Sequence, residues 1–250
     1  MTDGSLENCA EMAGETIRTT AICMAIRPWS QTSHVVTWLT DSGRVTTLVK
    51  GAVRPKSAFL GQYDANYTCE ILYYARARGE LHALRECSPI NRRDALRSDY
   101  RALALADYFR KTAGELTPDG PDAAEWLKLL GDALDGLTAR TDKSTTESLR
   151  RLLTFELAVL ELSGLMPNLA NEAENTVFQL RGERRIPVSR EVLECLRSPA
   201  TEKNLKILVD AARVIGVFYT FHLDCASNVR RTVLRMICNN EEGKTTHEEN

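Results

Sequence analysis

The 250-residue chain is long enough to bury a hydrophobic core, and its length predicts one large domain or two small ones. Hydrophobic residues make up 43% of it and charged residues 26%, which is typical of a soluble globular protein. No apolar run approaches the roughly 20 residues of a membrane-spanning helix. Residues 1–15 are acidic, the wrong sign for a signal or transit peptide. We therefore expect a cytoplasmic protein, not associated with a membrane, that begins with a disordered acidic leader at 1–15.

The net charge of −2 hides an uneven distribution along the chain. Residues 18–86 carry nine Lys and Arg against five Asp and Glu, whereas residues 1–17 and 240–250 are acidic. Local patches, more than the overall balance, decide electrostatic binding. The N-terminal part of the chain is therefore a candidate for binding a polyanion.

Residues 16–86 show the pattern of five short strands. Ile22, Met24 and Ile26 alternate with other residues, as do the apolar residues of 36–38 and 45–49. The sequence Asp41-Ser42-Gly43 between those two runs is typical of a hairpin turn. Further runs follow at 66–75 and 80–85. Five such strands, with a loop between the third and the fourth, predict a small closed barrel with an OB fold.

From residue 87 to 239 the pattern becomes helical, so the expected fold class is α+β: an N-terminal OB-fold barrel followed by an all-helical domain. Helices are expected at 100–111, 126–137, 145–162, 190–197, 202–222 and 227–238. Ser144-Thr145-Thr146-Glu147 has the spacing of a capping box at the start of the third of these helices. Residues 168–187 form an irregular insert with a short hairpin, and the polar residues 240–250 are expected to be a disordered tail.

Two segments of the predicted barrel are candidates for binding nucleic acid. The loop Lys50–Ser57 holds three cations and lacks the glycine spacing of a nucleotide-binding phosphate loop. The fourth strand ends in Tyr73-Tyr74, with two arginines before Gly79. Cations beside exposed aromatic rings can hold a phosphodiester backbone and stack its bases. Strand parity adds flanking residues, so the candidate contacts are Arg44, Lys50, Arg54, Lys56, Tyr74, Arg76, Arg78 and His82. The alternative is a solvated charged face, with Tyr73 or Tyr74 in the barrel core.

The chain offers no constellation of residues for catalysis. Its four histidines are dispersed, and it contains no Gly-x-Ser-x-Gly motif, no Asp-x-Asp pair and no Cys/His pairing. The seven cysteines include no Cys-x-x-Cys pair, which favours reduced thiols over disulfide bonds or a metal site. We therefore expect a protein that is not an enzyme. A nuclease is the enzymatic alternative, and the absence of a carboxylate cluster with metal-binding spacing argues against it.

The C-terminal helices carry cations between apolar positions, namely Arg190, Arg197, Lys203, Lys206, Arg213, Arg230, Arg231 and Arg235. These cations form either a second basic surface that docks an acidic peptide with an apolar end, or the ordinary solvated faces of amphipathic helices. The candidate partner-binding residues are Arg190, Arg197, Lys203, Lys206 and Arg213.

The order of these segments resembles the RecO family of bacterial recombination mediators and DNA repair proteins. The similarity lies in Lys50–Ser57, in Tyr73-Tyr74 followed by Arg78–Glu86, in Asp99-Tyr100 and in Phe155–Pro167, which ends in a Gly-x-x-Pro motif. The resemblance implies binding of single- and double-stranded DNA, annealing of complementary strands and loading of recombinase onto coated single strands. It also implies partnership with RecR and with the acidic, apolar C-terminal tail of single-stranded DNA-binding protein (SSB), and association with the nucleoid. Lys50, Arg54, Lys56 and Arg78 are the candidates that lie within the matching motifs.

The chain departs from the family pattern at one point. Many RecO-like proteins carry a four-cysteine zinc module just after the Gly-x-x-Pro helix, whereas residues 168–194 contain no cysteine. Because a structural zinc needs four Cys or His ligands, we expect the module to be lost and no zinc or other cofactor to bind. An OB fold does not dictate its ligand, so a protein-interaction scaffold and an RNA-binding protein remain the alternatives.

Overall fold

The computed structural model describes residues 15–76, 79–170, 176–180, 184–223 and 227–238. The first five strands are β1 (Thr16–Pro28), β2 (His34–Thr40), β3 (Gly43–Val49), β4 (Thr68–Tyr74) and β5 (Leu81–Asn91). They are followed by α1 (Tyr100–Leu116), α2 (Ala123–Thr138), α3 (Thr145–Leu162), β6 (Thr176–Gln179), β7 (Arg185–Val188), α4 (Arg190–Arg197), α5 (Leu205–His222) and α6 (Ser227–Cys238). The expected tail at 240–250, and the expected leader apart from Glu15, lie outside the described residues.

The first five strands close into a barrel in the order β1-β2-β3-β5-β4. Neighbouring strands are antiparallel except β3 and β5, which run parallel because the chain crosses over between them. Gly43, with a φ of +117°, lies in the left-handed region that the tight β2–β3 turn requires. The N-terminal OB barrel expected from the sequence is confirmed.

The interior of the barrel is filled by alternate residues of its strands, among them Val36, Val49 and Ile71. Trp38 is fully buried there, and its indole N–H donates to Thr47 Oγ1 at 2.9 Å. A buried donor without a partner would be costly, so this bond lets a large aromatic residue occupy the core.

The structure corrects the predicted face of β1. The alternating pattern places Ile22 and Met24 inside with Ile26, but Ala21 and Cys23 belong to the barrel core instead. A bulge between Cys23 and Ala25 shifts the register, so Ile26 packs against the core again further along the strand. The side chain of Ile22 points away from the barrel interior and is covered beside Gly131 of α2.

The first compact unit of the chain runs to Arg93 and also takes in Thr117–Gly131. The sequence pattern ends the barrel at residue 86, but β5 runs to Asn91 and pairs with β4 between Ala83 and Asn91. The pattern also assigns Thr117–Gly131 to the helical domain. This segment packs on the barrel because the Gly120 N–H donates to the Ser42 carbonyl at 3.0 Å.

The second compact unit contains Asp94–Leu116 and the chain from Asp132 onward. Four of its helices, α1, α3, α5 and α6, are joined by a buried ion pair between Glu156 and Arg230 and by tyrosine hydroxyls that bond to Glu156. The expected hairpin in the insert is present as β6 and β7, which pair antiparallel. Helix α5 begins at Leu205, later than the predicted residue 202, because Asn204 caps it and a short 3₁₀ turn precedes the cap. None of the helices in the described ranges is long and apolar enough to span a membrane.

Candidate nucleic-acid interface

The loop Lys50–Ser57, the cationic loop, is a series of tight turns on the barrel. The Arg54 N–H donates to the Gly51 carbonyl at 3.2 Å, and the Ser57 N–H donates to the Arg54 carbonyl at 2.9 Å. Gly51 has a φ of +66°, a conformation that other residues rarely adopt. Ala52 is 3% exposed and joins the barrel core. These backbone contacts fix the course of the loop, and Lys50, Arg54 and Lys56 are exposed on it.

The β1–β2 loop lies directly beside the cationic loop. The Val53 N–H donates to the Thr32 carbonyl at 3.3 Å, and the Gly51 N–H donates to Ser33 Oγ at 3.2 Å. This connection brings in Trp29, whose side chain is among the most exposed large hydrophobic ones described, at 62%. Trp29 is not among the predicted contacts. The sequence signal that could have revealed it is an aromatic residue next to Arg27 and Pro28, directly after the first strand pattern.

A polar groove, the strand groove, crosses the outer face of β2 and β3. It lies near the start of β3, whereas the cationic loop follows the end of that strand. It measures about 620 Å³ and is lined by Thr37, Ser42, Arg44, Thr46, Gly79, Glu80, His82 and Asp119. The structure thus brings two predicted contacts, Arg44 and His82, into one groove. Two carboxylates, those of Glu80 and Asp119, share the groove and weaken its attraction for phosphate.

Strand length separates this groove from the cationic loop. Arg44 lies on the outer face of β3, where Val45, Thr47 and Val49 face inward, and Lys50 lies in the turn directly after the strand. Six residues of extended chain place the two cations roughly 20 Å apart. Arg44 is therefore separate from the three exposed cations of the cationic loop, Lys50, Arg54 and Lys56.

His82 has a structural role at the turn between β4 and β5. Its Nδ1 accepts the backbone N–H of Arg76 at 3.2 Å, and its ring stacks on Tyr73 with centroids 5.5 Å apart. Tyr73 is 6% exposed, so it belongs to the barrel core, as the alternative reading of this aromatic pair has it. Arg76 is exposed, whereas Arg78 lies outside the described residues.

Tyr74 lies two strands away from β3, near the end that leads into the cationic loop. It pairs with Ala83 of β5, and Ala83 pairs with Leu48, two residues before Lys50. The Arg85 guanidinium lies 5.8 Å from the Tyr74 ring centroid, and Arg18 of β1 forms ion pairs with Glu70 and Glu86. Two strand spacings are about 10 Å, so Tyr74 is roughly as far from the end of β3 as Trp29 is.

The five cations predicted to bind a partner are dispersed. Arg190 pairs with Glu194 of its own helix, Arg197 donates to the Leu169 carbonyl, and Lys203 and Lys206 are exposed around the start of α5. Arg213 pairs with Asp210 of its own helix at 3.0 Å and lines two adjoining hollows between α5 and α6, together called the helix groove, which combine apolar side chains with further arginines. The lining of the helix groove includes Val209, Ala212, Arg213, Val217, Arg231, Leu234 and Arg235. Arg231 and Arg235 belong to the same set of C-terminal cations, and helix packing decides that they lie across from Arg213 of α5.

Comparison with known families settles the assignment. Residues 12–93 match the family model described as Recombination protein O N terminal, and residues 97–230 match the one described as Recombination protein O C terminal. The chain belongs to the RecO family. The two matched segments of the RecO pattern run through the barrel and through most of the helical region, which confirms the resemblance drawn from the short motifs.

Three curated relatives, each named DNA repair protein RecO, are similar to this chain. The protein of Alkaliphilus metalliredigens is 27% identical over 157 residues, which cover 62% of this chain and 61% of the relative. The proteins of a Roseiflexus species and of Myxococcus xanthus are 27% and 28% identical over 158 and 148 residues, which cover 63% and 59% of this chain. The matched parts span 53% and 58% of those two RecO proteins, so less than two thirds of each relative is represented.

No group of three or more His, Cys, Asp or Glu side chains in the described parts of the chain is arranged to hold a metal ion. Cys195 is buried within α4, and burial together with the nearby Glu202 raises the pKa of its thiol to about 11. The loss of the RecO zinc module stays a prediction from the sequence.

Proposed function

We propose that this protein is a non-enzymatic, DNA-binding recombination mediator in DNA repair. It anneals complementary strands and helps to load recombinase onto single strands coated with SSB. The observation that carries the proposal is the cationic loop, which holds three exposed Lys and Arg side chains on hydrogen-bonded turns of an OB barrel. Membership of the RecO family supports the same function.

Local charge favours the cationic loop over the strand groove as the main phosphate contact. The sequence from Lys50 to Tyr63 contains no acidic residue, and Arg27 adds a further exposed cation at the end of β1. The strand groove, in contrast, combines Arg44 with the carboxylates of Glu80 and Asp119. Neutralising phosphates releases counterions from DNA, so an uncompensated group of cations binds DNA most strongly.

Contacts of this kind are suited to annealing. Lys and Arg side chains that hold phosphates carry no sequence preference and leave the base edges available for pairing. Two strands held in this way lose part of their mutual repulsion, because their charges are neutralised before they meet. The free energy of binding, without a chemical step, would then drive the reaction.

The test is the salt dependence of binding to a single-stranded oligonucleotide. Each phosphate contact contributes about 0.7 to the slope of log affinity against log salt. We expect the triple variant K50A/R54A/K56A to lose about 2 from this slope and to bind DNA at least tenfold more weakly at physiological salt. The control variant K203A/K206A removes exposed cations from the helical unit and should keep the slope. An unchanged slope in the triple variant would show that the cationic loop is not the interface.

The helix groove is the proposed site for the acidic, apolar C-terminal tail of SSB. The apolar floor formed by Val209, Val217 and Leu234 can take apolar side chains, and Arg213, Arg231 and Arg235 can pair with carboxylates. Arg–carboxylate pairs combine charge with directed hydrogen bonds, which suits recognition of a short acidic peptide. Partnership with RecR stays a prediction drawn from the family.

A further inference from the structure

Trp29 is exposed in a chain that buries its other tryptophans. Its side chain is 62% exposed, whereas Trp38 and Trp126 are 0% and 4% exposed. A tryptophan is the largest apolar side chain, and leaving most of it in water gives up the free energy that burial would supply. Neither the barrel core nor any contact described above accounts for it.

The backbone holds Trp29 in a defined place. Its N–H donates to the Ser33 carbonyl at 2.9 Å, and the Ser30 N–H donates to the same carbonyl at 3.3 Å. The Ser33 side chain in turn accepts the Gly51 N–H, which ties the turn to the cationic loop. The indole ring therefore projects from a closed turn, so little additional ordering of the backbone is needed when a ligand binds.

Strand register places Trp29 close to Lys50. Pro28 pairs with His34, and His34 pairs with Val49, so Trp29 and Lys50 both follow residues of one rung of the barrel. With two strand spacings between them, their backbones are about 10 Å apart, within reach of one another's side chains. Arg27 is exposed one residue before Pro28.

An exposed indole ring close to Lys50 and Arg27 indicates the chemistry of the ligand. An apolar protein partner would also cover Trp29, but it would have to bury the cations around it or leave them unpaired, which is costly. A single-stranded nucleic acid offers anionic phosphates for Lys50 and Arg27 and flat bases for the indole. Base–aromatic stacking needs an unpaired base, so duplex DNA cannot use it in the same way.

We propose that Trp29 stacks on an unpaired base and gives the barrel its preference for single-stranded over double-stranded DNA. The inference rests on the proposed function, because it assumes that the cationic loop holds the phosphates. The loop supplies affinity for both forms of DNA, and Trp29 adds affinity for the single-stranded form only.

Intrinsic fluorescence reports this contact directly. Because Trp38 and Trp126 are buried, a single-stranded oligonucleotide should quench mainly the emission of Trp29. We expect quenching with single strands, little with a duplex of the same length, and little with an oligonucleotide of abasic sites, which keeps the phosphates but has no bases. Quenching of equal size by the abasic oligonucleotide would overturn the proposal.

Three variants of the full chain complete the test, with binding measured by anisotropy of a labelled oligonucleotide. W29L should bind single strands about tenfold more weakly and duplex equally well, and W29F should recover most of the lost affinity because it restores a stacking ring. K50A/R54A/K56A should lose affinity for both forms. Unchanged single-strand binding by W29L, or an equal loss for both forms, would overturn the role of Trp29. Failure of the wild-type chain to bind any DNA would instead overturn the proposed function.

Discussion

At the scale of single residues, one glycine makes room for a buried ion pair in the helical unit. Arg230 donates to both carboxylate oxygens of Glu156, at 2.6 and 2.9 Å, and to the Ala212 carbonyl at 2.7 Å. Glu156 is fully buried and also accepts the Tyr108 hydroxyl at 2.7 Å. A Cβ on Gly216 would lie 2.3 Å from Arg230 Nη1. Gly216 is therefore required by the path of the guanidinium.

We predict that G216A lowers the free energy of unfolding by about 3 kcal/mol, because displacing Arg230 leaves Glu156 buried without its partner. Urea denaturation measures this loss. In the double variant G216A/R230A the two losses should not add, since both remove the same ion pair.

A second glycine provides the matched control. A Cβ on Gly136 of α2 would lie 2.8 Å from Arg151 Nη1, but Arg151 is 40% exposed and can move. G136A should therefore be neutral or slightly stabilising, as Ala usually is in a helix. Equal losses for G136A and G216A would show that the Arg230 contact is not the cause.

At the scale of elements, the pairing of α5 and α6 creates the helix groove. Neither helix alone has an apolar floor with arginines on both sides, because Arg213 belongs to α5 while Arg231 and Arg235 belong to α6. The groove therefore depends on how the two helices pack.

We predict that R213A/R231A/R235A weakens binding of a synthetic peptide with the acidic, apolar SSB tail sequence by at least tenfold. Each exposed ion pair contributes up to about 1 kcal/mol, so three together produce a loss of this size. Isothermal titration measures it. R190A, which removes an exposed cation outside the helix groove, should bind the peptide normally, and equal affinity of the triple variant would exclude the helix groove as the site.

At the scale of the whole molecule, buried and capping carboxylates make stability depend on pH. Burial opposes ionisation of Asp99, but hydrogen bonds from Arg140 and from the Ala102 and Arg101 backbone hold the pKa of Asp99 below its usual value. The backbone N–H and the hydroxyl of Ser144 likewise lower the pKa of Asp142. In acid the unfolded chain then binds more protons than the folded chain, so stability falls as pH decreases through this range.

We predict that the free energy of unfolding falls between about pH 5 and pH 3, near and below the usual pKa of Asp. D99N should be less stable at pH 7, because Arg140 keeps a buried charge without a partner, and its stability should depend less steeply on pH in this range. D142N changes an exposed carboxylate and should flatten the profile less. Chemical denaturation at a series of pH values measures both profiles, and an unchanged slope in D99N would contradict the assignment.

Most elements of this fold could be predicted because their signals are local. Apolar spacing predicted α4 and α6 to the residue, and the capping box located the start of α3, where Ser144 Oγ accepts the Glu147 N–H at 3.1 Å. The second hydrogen bond of a capping box, from the N-cap backbone N–H to the Glu147 carboxylate, is replaced here. The Ser144 N–H donates to Asp142 at 2.8 Å, while the Glu147 carboxylate pairs with Arg150 and Arg151.

The candidate interface could be predicted only in part. Strand parity put Arg44 on the outer face of β3, because alternation is a property of the chain itself. It could not show that β5 lies between β3 and the strand of Tyr74, since strand order in the barrel depends on contacts between distant segments. It also could not show that Ile22 lies outside the barrel core, because the bulge in β1 depends on pairing with β2.

The amino-acid pattern alone was enough to predict which segments along the chain are strands and which are helices, and from them the OB fold. It was also enough to predict the family and the cationic loop. Each of these predictions depends on residues that are near one another along the chain. The folded structure was needed to place Trp29 beside Lys50, to separate Arg44 from the cationic loop, and to bring Arg231 and Arg235 to Arg213. The residues in these arrangements lie on different strands or on different helices. Register and packing decide them, and both arise from contacts between segments that are far apart in the sequence.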